Sequence, residues 1–355
     1  MRRLDTNTGE GTNRIVSQAF SLGVLDLVPR LNRASAEEAL QQSVSLAQHA
    51  EVWGYTRYWT SEHHDMEELA SASPEVLLSH IGARTATIQL GSGAVLLPHY
   101  SPLKVAESFR LLAALYPGRI ELGLGRAPGG GPHATMALSG NYLQHVSKLP
   151  ESLAALTALL EDRYTYEDHP VTARPIPERP ISLWMLGTNV KSAEFAGRFG
   201  MGYVFGQFMS DADGTEAVKR YRDGFIPSKT MNEPQVMVAV SAMCAETEEE
   251  AREWSRVIAD QRRKAGQDVL ALRSAEKEFN SNTDTNGQNS ISEGKDQGEA
   301  RKHFAGTAPQ IWEQFGQVSK QLETNQFLVV TAGPDYERRL ASYRLLAELS
   351  KTMVE

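Results

Sequence analysis

The sequence predicts an α/β protein built as a single (β/α)8 barrel. Three observations carry that reading. Short apolar runs alternate with amphipathic stretches, and eight such runs follow one another along the chain. Several runs end in titratable or backbone-exposing groups: Glu62-His63-His64, Gly91-Ser92-Gly93-Ala94 and Gly123-Leu124-Gly125-Arg126. Groups offered from the ends of several parallel strands are how a barrel builds a site at its C-terminal mouth. A doubly wound open sheet is the alternative that the same alternation permits.

The elements follow in order. Phe20 to Leu25 is the first strand. Ala34 to Trp53 is a helix, because Ala39, Leu40, Val44, Leu46, Ala47 and Ala50 recur at helical spacing. Ser35 with Glu38 makes a capping box at its start, and Gly54 ends it. Tyr55 to Thr60 is the second strand, with a short helix from Pro74 to Arg84. Ile88 to Leu96 is the third, and Pro102 opens a helix through Leu115. Ile120 to Leu124 is the fourth, followed by a Gly/Pro/His loop and a helix from Pro150 to Leu160. Ile181 to Leu186 and the helix Val190 to Phe199 form the fifth unit. Gly202 to Gly206 is the sixth strand, with a helix from Asp213 to Tyr221. Val236 to Cys244 is the seventh, with a helix from Glu246 to Ala259. Phe327 to Thr331 is the eighth, closed by a helix from Tyr336 to Leu349.

Two segments break this rhythm. Residues 1–18 are polar and lack an apolar signal core, so they read as a flexible arm ahead of a barrel spanning 19–355. Residues 279–299, with Asn280 to Gly298 almost free of apolar side chains, read as a mobile loop between strands seven and eight. That loop is either a tolerated insertion or a lid over the mouth.

Composition narrows the class. Of 355 residues, 41% are apolar, enough for a large core. The net charge of -8 argues against nucleic acid or an anionic membrane as the main partner. A single cysteine, Cys244, allows no intrachain disulfide, and no run is long enough to span a bilayer. A cytoplasmic setting is expected.

Strand alternation sends His63 and His64 to opposite faces, which makes them poor partners for one metal. No H-E-x-x-H or cysteine cluster occurs, and no metal site is expected. One histidine facing the mouth suits a general acid or base, with Glu62 fixing its tautomer. The alternative is a pair of hydrogen-bonded strand-end residues. Gly123-x-Gly125 with Gly129 is no dinucleotide fingerprint, because Pro128 to Pro132 cannot open a helix directly behind the strand. Arg126 is instead placed to meet an anion such as phosphate, or else forms a surface ion pair. Leu186-Gly187-Thr188-Asn189-Val190-Lys191-Ser192 leads from strand to helix. Its amides and hydroxyls suit a phosphate, the alternative being N-capping by Asn189. Gly91-Ser92-Gly93-Ala94 lets something flat approach the backbone. Tyr100, Trp59 and Trp184 point to an aromatic floor.

Together these residues resemble the bacterial-luciferase-like flavin monooxygenase family. The matching pieces are Glu62-His63-His64, Gly93-Ala94-Val95-Leu96-Leu97-Pro98, Pro117-Gly118-Arg119 through Arg126, and the turn leading to Ser192-Ala193-Glu194. The likeness runs from Phe20 to Phe208 and more weakly onward. The resemblance implies a barrel that binds reduced FMN at its mouth, or a deazaflavin in relatives. It implies that His63 assists flavin oxygen chemistry and that the Gly93–Ala94 peptide, often cis, lies against the ring. It implies that Arg126 and the turn Leu186, Gly187, Thr188, Asn189 and Ser192 hold the phosphate. It further implies O2, a small organic substrate, a separate flavin reductase and a homodimer joined beside strands two and three. Gly125 stands where light-emitting members carry a reactive cysteine, and only Lys148 offers itself for their arginine after strand four. Light emission is therefore not expected. A deazaflavin-dependent dehydrogenase and a catalytically silent flavin-binding protein are the competing readings.

Overall fold

The computed structural model describes residues 19–258 and 303–353. The arm expected at 1–18 and the polar loop expected at 279–299 lie outside the described residues.

The strands are β1 (Ser21–Asp26), β2 (Arg57–Thr60), β3 (Gln89–Ser92), β4 (Val95–Leu96), β5 (Ile120–Gly125), β6 (Thr165–Tyr166), β7 (His169–Pro170), β8 (Ser182–Gly187), β9 (Gly202–Gly206), β10 (Val236–Cys244), β11 (His303–Gly306) and β12 (Gln326–Val330). They pair in the order β12-β1-β2-β3-β5-β8-β9-β10, and β10 returns to β12. All these pairings are parallel, so the sheet closes into the eight-position barrel the sequence predicts. The open-sheet alternative is excluded by the β1–β12 pairing.

Local signals placed the first βα unit well. Ser35 Oγ accepts the Glu38 amide while Glu38 returns its carboxylate to the Ser35 amide. Gly54 closes the helix Ala36–Trp53 at φ +90°, a left-handed conformation that glycine adopts without steric cost.

Four expectations need correction. The third strand is not continuous: it breaks into β3 and β4 around a cis peptide between Gly93 and Ala94, and β4 pairs only with β5. The loop after β5 contains two short helices, Pro132–Ser139 and Tyr142–Ser147. Between β10 and β12 lie β11, parallel to the end of β10, and the helix Ala308–Leu322. The helix expected from Glu246 starts at 248 and is described to 258.

Apolar residues fill two layers. One lies between strands and helices, for example Tyr58, Leu78, Phe109 and Leu153. The other fills the barrel interior with Leu25, Trp59, Trp184, Val204, Met237, Ala239 and Leu328. Trp59 and Trp184 meet edge to face at 6.0 Å in this interior. The flat group that Gly91 admits is the chain's own Trp59: a Cβ on Gly91 would come within 2.3 Å of the indole nitrogen. That nitrogen donates to Glu121 Oε2 at 2.7 Å, and Arg57 Nε lies 3.3 Å from the same oxygen.

At the β1–β12 seam, Arg339 Nη2 donates to Asp26 Oδ1 at 2.6 Å, both side chains being fully buried. Tyr58 donates to the other Asp26 oxygen, and Arg339 Nε donates to the Thr331 carbonyl. Among the described residues no helix is long and apolar enough to cross a membrane.

Candidate active site

The C-terminal ends of the strands enclose a cavity of about 520 Å³. Every residue proposed from sequence as catalytic or cofactor-binding lines it: Glu62, His63, Gly93, Ala94, Arg126, Leu186, Gly187, Thr188, Asn189 and Ser192; Trp59, Trp184 and Tyr100, expected as an aromatic floor, are not among its lining residues. Contributions come from β1, β2, β3, β4, β5, β8, β9 and β10, which is why residues far apart in sequence converge.

His63 and His64 separate as alternation requires. His63 Nδ1 lies 3.0 Å from Ser61 Oγ, and its amide donates to the Ser71 carbonyl at 2.8 Å. Its Nε2 has no protein partner among the described residues. Burial pushes the His63 pKa below its ordinary value, and the neighbouring His64 adds to that. The imidazole is therefore neutral near pH 7, able to accept or return one proton.

Glu62 does not orient His63, contrary to expectation. Its Oε1 lies 2.8 Å from His64 Nε2 and accepts Tyr100 Oη at 2.7 Å; its Oε2 accepts the Leu96 amide at 3.1 Å. The reason lies in the tertiary contacts past the end of β2 at Thr60: Glu62 is held by Tyr100 and the Leu96 amide on the side where His64 meets it, whereas His63 turns to Ser61. Tyr100 is thus a carboxylate partner rather than part of an aromatic floor. Burial raises its pKa, and Glu62 raises it further. His64 also donates its amide to Gly129 at 2.8 Å, which fastens the loop after β5 to the end of β2.

That loop carries Arg126. Arg126 Nη2 donates to Asn189 Oδ1 at 3.1 Å and makes no ion pair among the described residues. Asn189 caps the helix Val190–Arg198, its Oδ1 accepting the Ser192 amide at 3.2 Å. The N-capping alternative is therefore real, and it coexists with the cation rather than replacing it. A guanidinium without a carboxylate partner, beside a helix N-terminus, is a donor set suited to an anion. The Tyr142 hydroxyl donates to the Arg126 carbonyl, and Tyr142 stacks on His99 at 5.1 Å.

Sequence reasoning missed Ser61 as the His63 partner and the apolar wall of Leu27, Phe208 and Met209. Phe208 and Met209 directly follow the sixth strand, which was the available signal.

The fold and its mouth define a (β/α)8 barrel that takes small molecules at the C-terminal ends of its strands. The chain belongs to the luciferase-like monooxygenase family, whose model matches residues 20–331. This is a family of oxidoreductases of the monooxygenase kind. YwcH of Bacillus subtilis (strain 168) is 40% identical over 335 residues, spanning 92% of this chain and 98% of its own. The N-acetyl-S-alkylcysteine monooxygenase of the same organism is 34% identical, over 88% of this chain and 93% of that protein. The solved structure of apo-MsnO8 superposes with a TM-score of 0.78 at 32% identity, over 94% of this chain and 98% of its own. Two more distant structures share the fold. The oxygenating constituent of 3,6-diketocamphane monooxygenase from Pseudomonas putida, in complex with FMN, has a TM-score of 0.64 at 18% identity and covers 93% of this chain and 97% of its own. An F420-dependent secondary alcohol dehydrogenase with an F420–acetone adduct has a TM-score of 0.65 at 15% identity, covering 92% and 98%.

Proposed function

We propose that this chain is the oxygenase of a two-component, FMN-dependent monooxygenase. It would take reduced FMN from a separate reductase and use O2 to oxidise a small organic substrate. The observation that carries this reading is one cavity uniting a neutral, half-buried histidine, His63, with an anion seat made by Arg126 and the Asn189-capped helix. Its volume of about 520 Å³ lies in the range of cofactor pockets. The relative with 34% identity along nearly its whole length is itself named a monooxygenase, which supports oxygenation over hydride transfer.

The residues present fit the cofactor. Arg126, Thr188, Asn189 and Ser192 would hold the phosphate, with Leu186 and Gly187 beneath it. Gly93 and Ala94 present backbone and a small side chain to the flavin ring. Reduced FMN, when bound, supplies the two electrons with which one atom of O2 enters the substrate and the other leaves as water. His63 would hold or return one proton at Nε2, its Nδ1 being kept by Ser61. Leu25, Leu27, Leu96 and Val204 keep water from the reacting centre. A homodimer joined by the helices Pro74–Gly82 and Pro102–Leu115 fits the exposed Val76, Leu111 and Leu115 on those helices. A cytoplasmic setting fits the lone, buried Cys244.

The test is anaerobic titration with reduced FMN and, in parallel, reduced F420, followed by O2 uptake. Binding of reduced FMN with O2 consumption supports the reading. Dependence on F420 without O2 uptake would favour the dehydrogenase. Binding without any turnover would favour a silent flavin-binding protein.

A further inference from the structure

We propose that the organic substrate is uncharged, and that its alkyl or aryl part seats on the arc of the mouth built by β9, β10 and β1. This rests on the flavin reading above, because it assigns the opposite arc to the cofactor.

The cavity lining divides by strand. Around the closed barrel, β2, β3, β5 and β8 are consecutive, and so are β9, β10, β12 and β1. The first arc carries the polar side chains: Ser61, Glu62, His63, Arg126, Asn189 and Ser192 among them. The second arc contributes Leu25, Leu27, Val204, Phe208, Met209 and Ala239, with Gly206 between. Among the described lining residues, that second arc carries no side-chain nitrogen or oxygen. The wall is solid, because Leu25, Val204 and Ala239 belong to the buried interior cluster and Leu27 and Phe208 pack on it. Met209, 59% exposed, forms a flexible rim of a kind that adapts to varied apolar shapes.

Among the described lining residues, a charge carried by the substrate would find no free partner. On the apolar arc it would lose hydration without compensation. The cavity's cation, Arg126, stands on the far arc, at the proposed phosphate seat. Its carboxylate, Glu62, already takes three internal donors, so it has little to offer an ammonium.

The experiment is calorimetric titration of two matched probes, hexyl methyl sulfide and 6-(methylthio)hexanoate. Each is titrated into the protein alone and with FMN present, and FMN binding is measured separately. The variants are Met209→Glu, at an exposed position that folding tolerates, and Leu27→Asn. The neutral sulfide should bind, with the carboxylate weaker by roughly tenfold or more. Each variant should weaken the sulfide by roughly tenfold while FMN affinity stays within about twofold. Absence of sulfide binding, equal or tighter binding of the carboxylate, or unchanged sulfide affinity in both variants would overturn the proposal. Loss of FMN binding alongside the expected probe pattern would instead sink the flavin reading and leave the apolar arc standing.

Discussion

Glu62 gives its carboxylate to His64, 2.8 Å from Nε2, while the adjacent His63 turns Nδ1 to Ser61 Oγ at 3.0 Å. Two neighbouring histidines therefore have different work. His64 belongs to a buried polar cluster that joins the ends of β2, β4 and β5 through Glu62, the Leu96 amide and the Gly129 carbonyl. His63 faces the cavity with one ring nitrogen unengaged among the described residues.

Glu62→Gln should cost stability. The carboxylate accepts three donors, and a glutamine amide replaces one acceptor with a donor facing another donor. Leaving one such group unsatisfied costs about 1–3 kcal/mol. Denaturant unfolding measures this, and an unchanged midpoint would show that the cluster does not depend on the charge of Glu62.

The His63 pKa lies below its ordinary 6.5 because of burial and then His64, which fixes the sign of a pH effect. The unfolded chain binds the proton more readily than the folded one, so stability falls as pH drops from about 6.5 towards the folded pKa. Burial lowers the His99 pKa too, so the comparison must be with a variant rather than with theory. His63→Asn should show a shallower loss of stability between pH 6.5 and the folded value. Parallel stability curves for the two proteins would contradict the assignment.

Much of this was legible in the sequence, for identifiable reasons. Strand-end residues such as Glu62, Arg126 and Asn189 announce themselves because each follows an apolar run and precedes a turn signal. Ser35 and Glu38 fixed a helix start because capping is local. The β11 strand was not legible: it has four residues of mixed burial and follows a polar run with no periodicity. The helices after β5 hid behind Pro128, Gly129, Gly130 and Gly131, which read as loop. The choice of His64 over His63 as the Glu62 partner depends on which face of the strand end meets Tyr100 and Leu96. That is tertiary information, and spacing alone could not supply it.

Arg126→Ala should discriminate between flavins. If the guanidinium meets the phosphate, FMN affinity falls by about 1.5–3 kcal/mol, on the scale of a charge-assisted hydrogen bond. Riboflavin, which lacks the phosphate, should bind the variant and the parent alike. Equal losses for both ligands would mean that Arg126 shapes the loop rather than binding the anion. Arg126→Lys keeps the charge without the planar fork and should fall between the two.

The buried Asp26–Arg339 pair predicts a large stability loss. Asp26 ends β1, and Arg339 lies on the helix Tyr336–Thr352 that follows β12, so the pair spans the seam where the barrel closes. Burial alone would raise the Asp26 pKa; Arg339, the Tyr58 hydroxyl and the Val28 amide outweigh it and hold the carboxyl below its ordinary value. Arg339→Met removes the counter-charge and leaves the carboxylate in an apolar seam, at a cost of about 3–5 kcal/mol. Asp26→Leu added to that variant removes the stranded charge, and part of the loss should return, because two desolvation penalties disappear together. Urea unfolding of the parent, the single and the double variant measures the recovery. A double variant weaker than Arg339→Met would show that the Tyr58 and Val28 donors, rather than the ion pair, hold the seam. Leu25 and Leu27 flank Asp26 and line the apolar arc, so loosening this seam should weaken sulfide binding before it weakens FMN binding.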